Sequence, residues 1–221
     1  MKITAIELCH ISIPFVKPYA LSKIYGTLSH AHAVIFKVHT DEGIVGLGEA
    51  DPMNPFTEET PASVMVVMRD VIAPYLIGQD LTRISAIESK LDDVIHSNLT
   101  ARGAVSMALY DIVGKFNNIP AHALLGGAIH SELSILGAIG SGTPEEDEAA
   151  IEALIDQGHK TVMIKMGALP IVDEIRRMTS AHKRFGDRIP IIVDANQAWE
   201  VAETFAFLDG IRNDRPDLIE Q

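Results

Sequence analysis

The second half of the chain most limits what it can fold into. From Leu133 onward, short apolar runs alternate with segments of helical period. Strands are predicted over 133–139, 161–166, 189–194 and 217–220, and helices over 144–157, 170–185 and 198–211. A run such as Ile191-Ile192-Val193 is apolar throughout. Strands buried on both faces have that composition, and they occur in parallel sheets joined by helical crossovers. Thr143-Pro144 pairs a cap with proline at the first helical position, and Gly158 stands where that helix must stop.

Side chains alternate faces along a strand. Met163 and Lys165 therefore share one face of their strand, as do Ile192 and Asp194, with Asn196 following on the loop, and Leu218 and Glu220. Each of three consecutive parallel strands ends in one charged residue, at the end where ligands collect in α/β folds. Hard cations such as Mg²⁺ take oxygen ligands, commonly one or two carboxylates with water and substrate. A lysine close to such a cation and partly desolvated has its ammonium form disfavoured and can serve as a base. A plain ion bridge from Lys165 to Asp194 or Glu220 fits the same spacing equally well.

The first half differs. Residues 2–13, 31–40 and 44–50 read as strands, the last two joined at Asp41-Glu42-Gly43. Residues 15–29 show no period, hold Pro18 and Gly26 and follow Pro14, and read as a loop long enough to be a lid or binding segment. Helices are predicted over 59–76, 84–96 and 101–116, with Thr82 and Thr100 as N-caps. Met65 and Met68, with Val64 and Val71, form an apolar helical stripe suited to a core. Three strands followed by a helical layer make residues 1–127 an α+β unit, and 128–221 a separate α/β unit.

Composition narrows the partners. The chain has 18 basic and 30 acidic residues, a formal net charge of −12, which repels nucleic acid and anionic lipid. Cys9 is its one cysteine, so there is no internal disulfide and no CxxC motif. No apolar run is long enough for a membrane span and the N-terminus lacks a signal-peptide pattern, so a soluble, cytoplasmic chain is expected.

The motifs together have a family character. Ile164-Lys165-Met166-Gly167, then Asp194-Ala195-Asn196-Gln197-Ala198-Trp199, then Leu218-Ile219-Glu220-Gln221 resemble the enolase superfamily, nearest its muconate-lactonizing branch. Asp41-Glu42-Gly43 with Gly46-Leu47-Gly48-Glu49, and Leu124-Leu125-Gly126-Gly127, resemble that family's N-terminal capping domain and its entry into the barrel. Lys165 and Asp194 are 29 residues apart and Asp194 and Glu220 are 26 apart, as successive βα units would be. The resemblance implies a capping domain followed by a TIM-type barrel. It implies a magnesium-dependent (or manganese-dependent) abstraction of a proton α to a carboxylate, with Asp194 and Glu220 as metal ligands and Lys165 as base. Racemase, epimerase and cycloisomerase outcomes are all open, with a hydroxy-acid dehydratase as the alternative.

Two departures stand out. The family motif is Lys-x-Lys, and Met163 occupies the place of its first lysine. A full (β/α)₈ barrel takes about 250 residues, whereas about four βα units fit here. The chain is therefore expected to be the front part of a longer enzyme. Open sheet edges favour a homo-oligomer, or even a non-catalytic oligomerising half-barrel. For the small carboxylate substrate the candidate contacts are Tyr19, Lys23 and Tyr25 in the 15–29 segment, His30 and His32 after it, and Asn196. A zinc pair at His30 and His32 lacks a third ligand. Gly137 to Gly142 miss the dinucleotide spacing, and Glu145 to Glu148 read as a helix start favoured by the dipole.

Overall fold

A computed structural model describes residues 1–220, apart from the side chains of Lys17, Ala20 and Leu21; Gln221 lies outside the described residues. The chain divides into two units: Met1–Phe15 with His30–Ser131, and Val16–Ser29 with Glu132–Gln221.

The first unit is built on a sheet of order β1-β2-β3, with β1 at Ile3–Ser22, β2 at Gly26–Thr40 and β3 at Val45–Ala50. Strands β2 and β3 pair antiparallel from Val34↔Ala50 to His39↔Val45. Every second residue of β2 faces the core, so Val34, Phe36 and Val38 are wholly buried. The helical layer comprises α1 (Pro61–Val67), a π-helical turn (Met68–Ile72), α2 (Ala73–Leu76), a 3₁₀ turn (Leu81–Arg83), α3 (Ile84–Val94), α4 (Leu99–Asn117) and α5 (Ala121–Leu124). Val64 and Met68 of the expected stripe are fully buried, Met65 packs beside them, and Val71 is exposed. Helix α4 lies directly on β3 because two glycines make room. A Cβ on Gly48 would fall 1.8 Å from the Ala104 carbonyl oxygen, and one on Gly46 2.3 Å from that of Ala108.

The second unit carries a parallel sheet of order β4-β5-β6-β7: Gly137–Ile139, Val162–Lys165, Ile191–Asp194 and Leu218–Glu220. The crossovers are α6 (Pro144–Asp156), α7 (Ile171–Phe185) and α8 (Val201–Gly210). Val162, Ile164, Ile191 and Val193 bury one face of the sheet with Ile151, Met178, Phe185 and Phe207 from the helices. Each such side chain contributes about 1.5–3 kcal/mol by leaving water. Met163, Lys165, Ile192, Asp194, Leu218 and Glu220 belong to the other face, as alternation requires.

Several local expectations change. The 15–29 segment is no loop: β1 runs on to Ser22, and β2 starts at Gly26 after a turn at Lys23 to Tyr25. Pro14 and Pro18 sit inside β1 because it is an edge strand, where a missing N–H breaks no interior ladder. Thr82 and Thr100 are not caps. Asp80 caps the 3₁₀ turn through the Thr82 N–H, and the Thr100 and Ala101 N–H groups donate to the buried Glu59 carboxylate at 2.6 and 3.3 Å. Thr60 and Ser63 form a capping box that was not foreseen. Strand β4 begins at Gly137 instead of 133, and Leu133 and Ile135 before it are exposed. Thr143 and Glu146 close the capping box of α6 as its cap-and-proline start implied, and Gly158 takes the left-handed backbone that ends it. Helix α8 starts at Val201, later than 198, because Glu200 is extended, φ −76° and ψ 164°, and caps the helix in a capping box with Glu203. Before it, Asn196 and Gln197 adopt positive φ, 46° and 61°.

Candidate active site

Register brings the three charged strand ends into one row. Lys165 pairs with Asp194 and Asp194 with Glu220, so the three side chains project from the same face of adjacent strands. Neighbouring strands lie about 4.8 Å apart. The Lys165 Nζ donates to Asp194 Oδ2 at 2.5 Å and to Asn196 Oδ1 at 3.1 Å. The Asn196 backbone N–H donates to the other carboxylate oxygen, Asp194 Oδ1, at 2.8 Å. Lys165, Asp194 and Asn196 are 9, 2 and 6 % exposed, whereas the Glu220 side chain is open to solvent. Met163 is buried one step back along the same face of β5.

The positive φ at Asn196 turns the chain back over the strand end. Gly167, φ 81°, completes the local geometry: a Cβ there would lie 2.6 Å from the Ala195 carbonyl oxygen. The two loops following β5 and β6 therefore pass within backbone contact of each other.

The arm at Val16–Ser29 grips these same loops. Its Lys23 N–H donates to the Gly167 carbonyl at 3.2 Å, Ser22 Oγ to the Asn196 carbonyl at 3.3 Å, and Tyr25 OH to Gln197 Oε1 at 2.7 Å. The Lys23 amine is held by Glu203 at 3.0 and 3.3 Å. Tyr19 is 38 % exposed on the arm. Among the candidate contacts, Tyr25 and Asn196 thus meet at the loop after β6, whereas Lys23 reaches the loop after β5 and helix α8. His30 and His32 lie in the first unit with their rings stacked, His32 also facing His10 with centroids 5.6 Å apart.

A second polar cluster went unforeseen. Arg177 on α7, 1 % exposed, donates from Nε to Asp147 Oδ2 at 2.6 Å, from Nη1 to Glu174 Oε2 at 2.7 Å and from Nη2 to Asp147 Oδ1 at 3.3 Å. It also donates to the carbonyls of Lys165 at 2.9 Å and Gly140 at 2.8 Å. Burial pushes the carboxyls of Asp147 and Glu174 above their ordinary range, against the pull of the guanidinium. Glu145, Glu146 and Asp147 do stand in the first turn of α6, where the dipole favours them, and Asp147 is in addition a buried partner of Arg177. The sequence signal was weak, because Glu174 and Arg177 at i, i+3 look like an ordinary surface pair. Trp199 packs on Phe207, ring centroids 4.5 Å apart, in the helix-side core.

Together, an α+β unit and a run of parallel βα units with a lysine and two acids at successive strand ends define a capping domain followed by part of a TIM-type barrel. Residues 5–126 match the Mandelate racemase / muconate lactonizing enzyme, N-terminal domain, and residues 146–221 match the Enolase C-terminal domain-like family. The chain belongs to the mandelate racemase / muconate lactonizing enzyme family. It is 33% identical to an N-succinyl-L-Arg/Lys racemase of Bacillus cereus, over 100% of this chain and 59% of that protein. It is 34% identical to an L-Ala-D/L-Glu epimerase of Bacillus subtilis, over 92% of this chain and 55% of that one. The crystal structure of the muconate lactonizing enzyme from Pseudomonas fluorescens complexed with muconolactone superimposes with a TM-score of 0.93 at 29% identity, over all of this chain and 60% of that one. The chain thus spans about 60% of the length of these relatives.

No helix among the described residues is long and apolar enough to cross a membrane. Among the same residues no three histidine, cysteine, aspartate or glutamate side chains gather as a metal site.

Proposed function

We propose that this chain carries the base and two oxygen ligands of an isomerase that removes a proton α to a carboxylate, with residues 1–127 as capping domain and 128–221 as the first part of the barrel. One row of side chains supports it: Lys165, Asp194 and Glu220 in register at the C-terminal ends of adjacent parallel strands. The Lys165 amine accepts the α-proton. The C–H bond breaks, an N–H bond forms, and the freed electron pair moves into the carboxylate. Return of the proton to the other face or to another carbon gives the isomer.

The residues fit a hard divalent cation. The donors are two carboxylates on neighbouring strands, and Asp194 already holds one positive group, the Lys165 ammonium. Asp194 and Glu220 would hold magnesium, with water and substrate oxygens completing its sphere. Bound there, the ion would supply the positive charge that an α-carbanion beside a carboxylate needs. Asn196 Oδ1 accepts a second hydrogen bond from the Lys165 amine, at 3.1 Å. Met163 sets an apolar side chain where the family motif has its first lysine, leaving Lys165 as the single amine of β5.

The substrate is expected among carboxylates like those of the relatives: N-succinylated basic amino acids, Ala-Glu dipeptides or muconates. The test is incorporation of solvent deuterium at the α-carbon of this panel in the presence of Mg²⁺. Lys165→Ala should lower incorporation by roughly 10²–10⁴-fold. Asp194→Asn should abolish Mg²⁺ binding in isothermal titration. Exchange that survives Lys165→Ala would overturn the role given to the lysine.

A further inference from the structure

Among the described residues, Arg177 heads the largest fully buried side chains, and its charge is met by two carboxylates, Asp147 and Glu174. Burying such a group is a costly way to fill a core, since apolar packing of equal volume is often as stable. What an apolar side chain cannot do is present five N–H donors in one rigid plane. All five have acceptors here: Asp147 twice, Glu174, and the carbonyls of Lys165 and Gly140.

The two carbonyls mark where the guanidinium acts. The ladder between β4 and β5 ends at Ile139↔Ile164. Gly140 and Lys165 are the next residue on each strand, and Arg177 bridges their carbonyls just where the strands stop bonding to each other. Its partners extend the hold. Asp147 lies in the first turn of α6. Glu174, in the first turn of α7, accepts the Leu169 N–H at 3.0 Å and so fixes the loop that follows Lys165.

A lysine amine rides on a flexible four-carbon stem, so its position depends on how firmly its backbone is held. Misplacing a reacting group by about 1 Å can cost roughly a hundredfold in rate. We propose that Arg177, granted Lys165 as the base, is a positioning residue: its guanidinium locks the Lys165 carbonyl and thereby seats the Lys165 amine on Asp194 and Asn196.

The test reads the Lys165 ammonium directly, with no substrate. In the full chain with ¹⁵N-labelled lysine, the Nζ signal of Lys165 is assigned by its loss in Lys165→Arg, and its hydrogen exchange with water is measured. In the parent chain the signal should exchange slowly; exchange as fast as a surface lysine's would overturn the proposal. Arg177→Lys keeps a buried cation but cannot span Asp147 and both carbonyls, and should speed exchange about tenfold, the loss of one charged hydrogen bond. Met178→Ala, a core truncation on the same helix, should lower stability and leave the Lys165 signal unmoved. Unchanged exchange in folded Arg177→Lys, or equal acceleration by Met178→Ala, would overturn the positioning role. If Arg177→Lys does not fold, Asp147→Asn takes its place, with about threefold acceleration expected for a weakened, not lost, contact; no acceleration there is equally fatal. Because the readout is independent of turnover, a Lys165 that proves not to be a base leaves this result standing. A proven base with unaltered exchange sinks only the positioning.

Discussion

The two units of this chain bury different things. Among the described residues, the first keeps polar side chains out of its core apart from Thr40 and Glu59. Glu59 is there to take up the free N–H groups at the start of α4. The second buries Ser22, Asp147, Lys165, Glu174, Arg177, Asp194 and Asn196. A unit whose task is to fold needs only apolar shape. A unit that holds an amine against a carboxylate must carry buried charge, and each charge requires partners. The first unit's stability should therefore respond to volume, and the second's to charge balance.

Arg177→Met is the strongest way to break that contrast. It leaves Asp147 and Glu174 buried without their cation, and removing one partner of a buried pair costs about 3–5 kcal/mol. Trp199, the single tryptophan, packs in the helix-side core of the second unit and reports on it by fluorescence. The unfolding free energy taken from the urea dependence of its emission should fall by that amount, with a lower midpoint, or the native signal should vanish. A midpoint close to that of the parent chain would show that charge balance does not govern the second unit.

Gly48→Ala is the counterpart in the first unit, where the addition is one methyl group. It meets backbone, the Ala104 carbonyl at 1.8 Å, so α4 must move off β3. Overpacking of this kind costs about 1–3 kcal/mol, here toward the upper end. Far-UV circular dichroism should show an earlier unfolding step that Trp199 emission does not follow. Coincident transitions would mean that the two units do not respond separately.

The same contrast explains what could be read in the sequence. Apolar period and turn residues are local, and they placed most helices and strands of both units, including the row of Lys165, Asp194 and Glu220, because strand parity needs only counting. The arm at Val16–Ser29 escaped because Pro14 and Pro18 argue against strand unless the strand is known to be an edge, and that is a property of the sheet. Thr100 resembled a cap because nothing local says that Glu59, far away in sequence, holds the helix start. Arg177 and Asp147 were hidden for a related reason. On a single helix, charged residues look solvated, and only the packing of α6 against α7 puts them inside.

Acidity sharpens the comparison further. Burial holds the Asp147 and Glu174 carboxyls above their ordinary values in the folded chain. A raised carboxyl binds more protons folded than unfolded, so its contribution is complete below the unfolded-state value and is lost as pH climbs through the folded one. Surface acids run the other way. Glu148 is held low by Ser180 and Arg184, and Glu152 by Arg188, so their contributions fade as pH falls. Over the interval just above the ordinary carboxyl range, the second unit should therefore lose the share of its stability that these two carboxyls supply. Glu174→Gln should flatten the dependence of the Trp199 midpoint on pH. A parent midpoint that rises across this interval would contradict the sign.

The smallest effect belongs to an exposed ion pair of the second unit, between the arm and helix α8. Lys23 and Glu203 meet at 3.0 Å with side chains 45 and 35 % exposed. Exposed pairs of this kind are worth about 0–1 kcal/mol, and salt screens them. Glu203 also accepts the Glu200 N–H at the start of α8, so replacing it would mix two effects. Lys23→Ala isolates the pair. The Lys23 backbone N–H keeps its bond to Gly167, and Tyr25 keeps its bond to Gln197, so the arm should stay seated. The Trp199 midpoint should stay close to that of the parent chain, and half-molar salt should erase any difference. A larger, salt-insensitive shift would mean that charge at the surface of the second unit matters as much as charge in its interior, and the contrast between the units would then be one of total charge and not of burial.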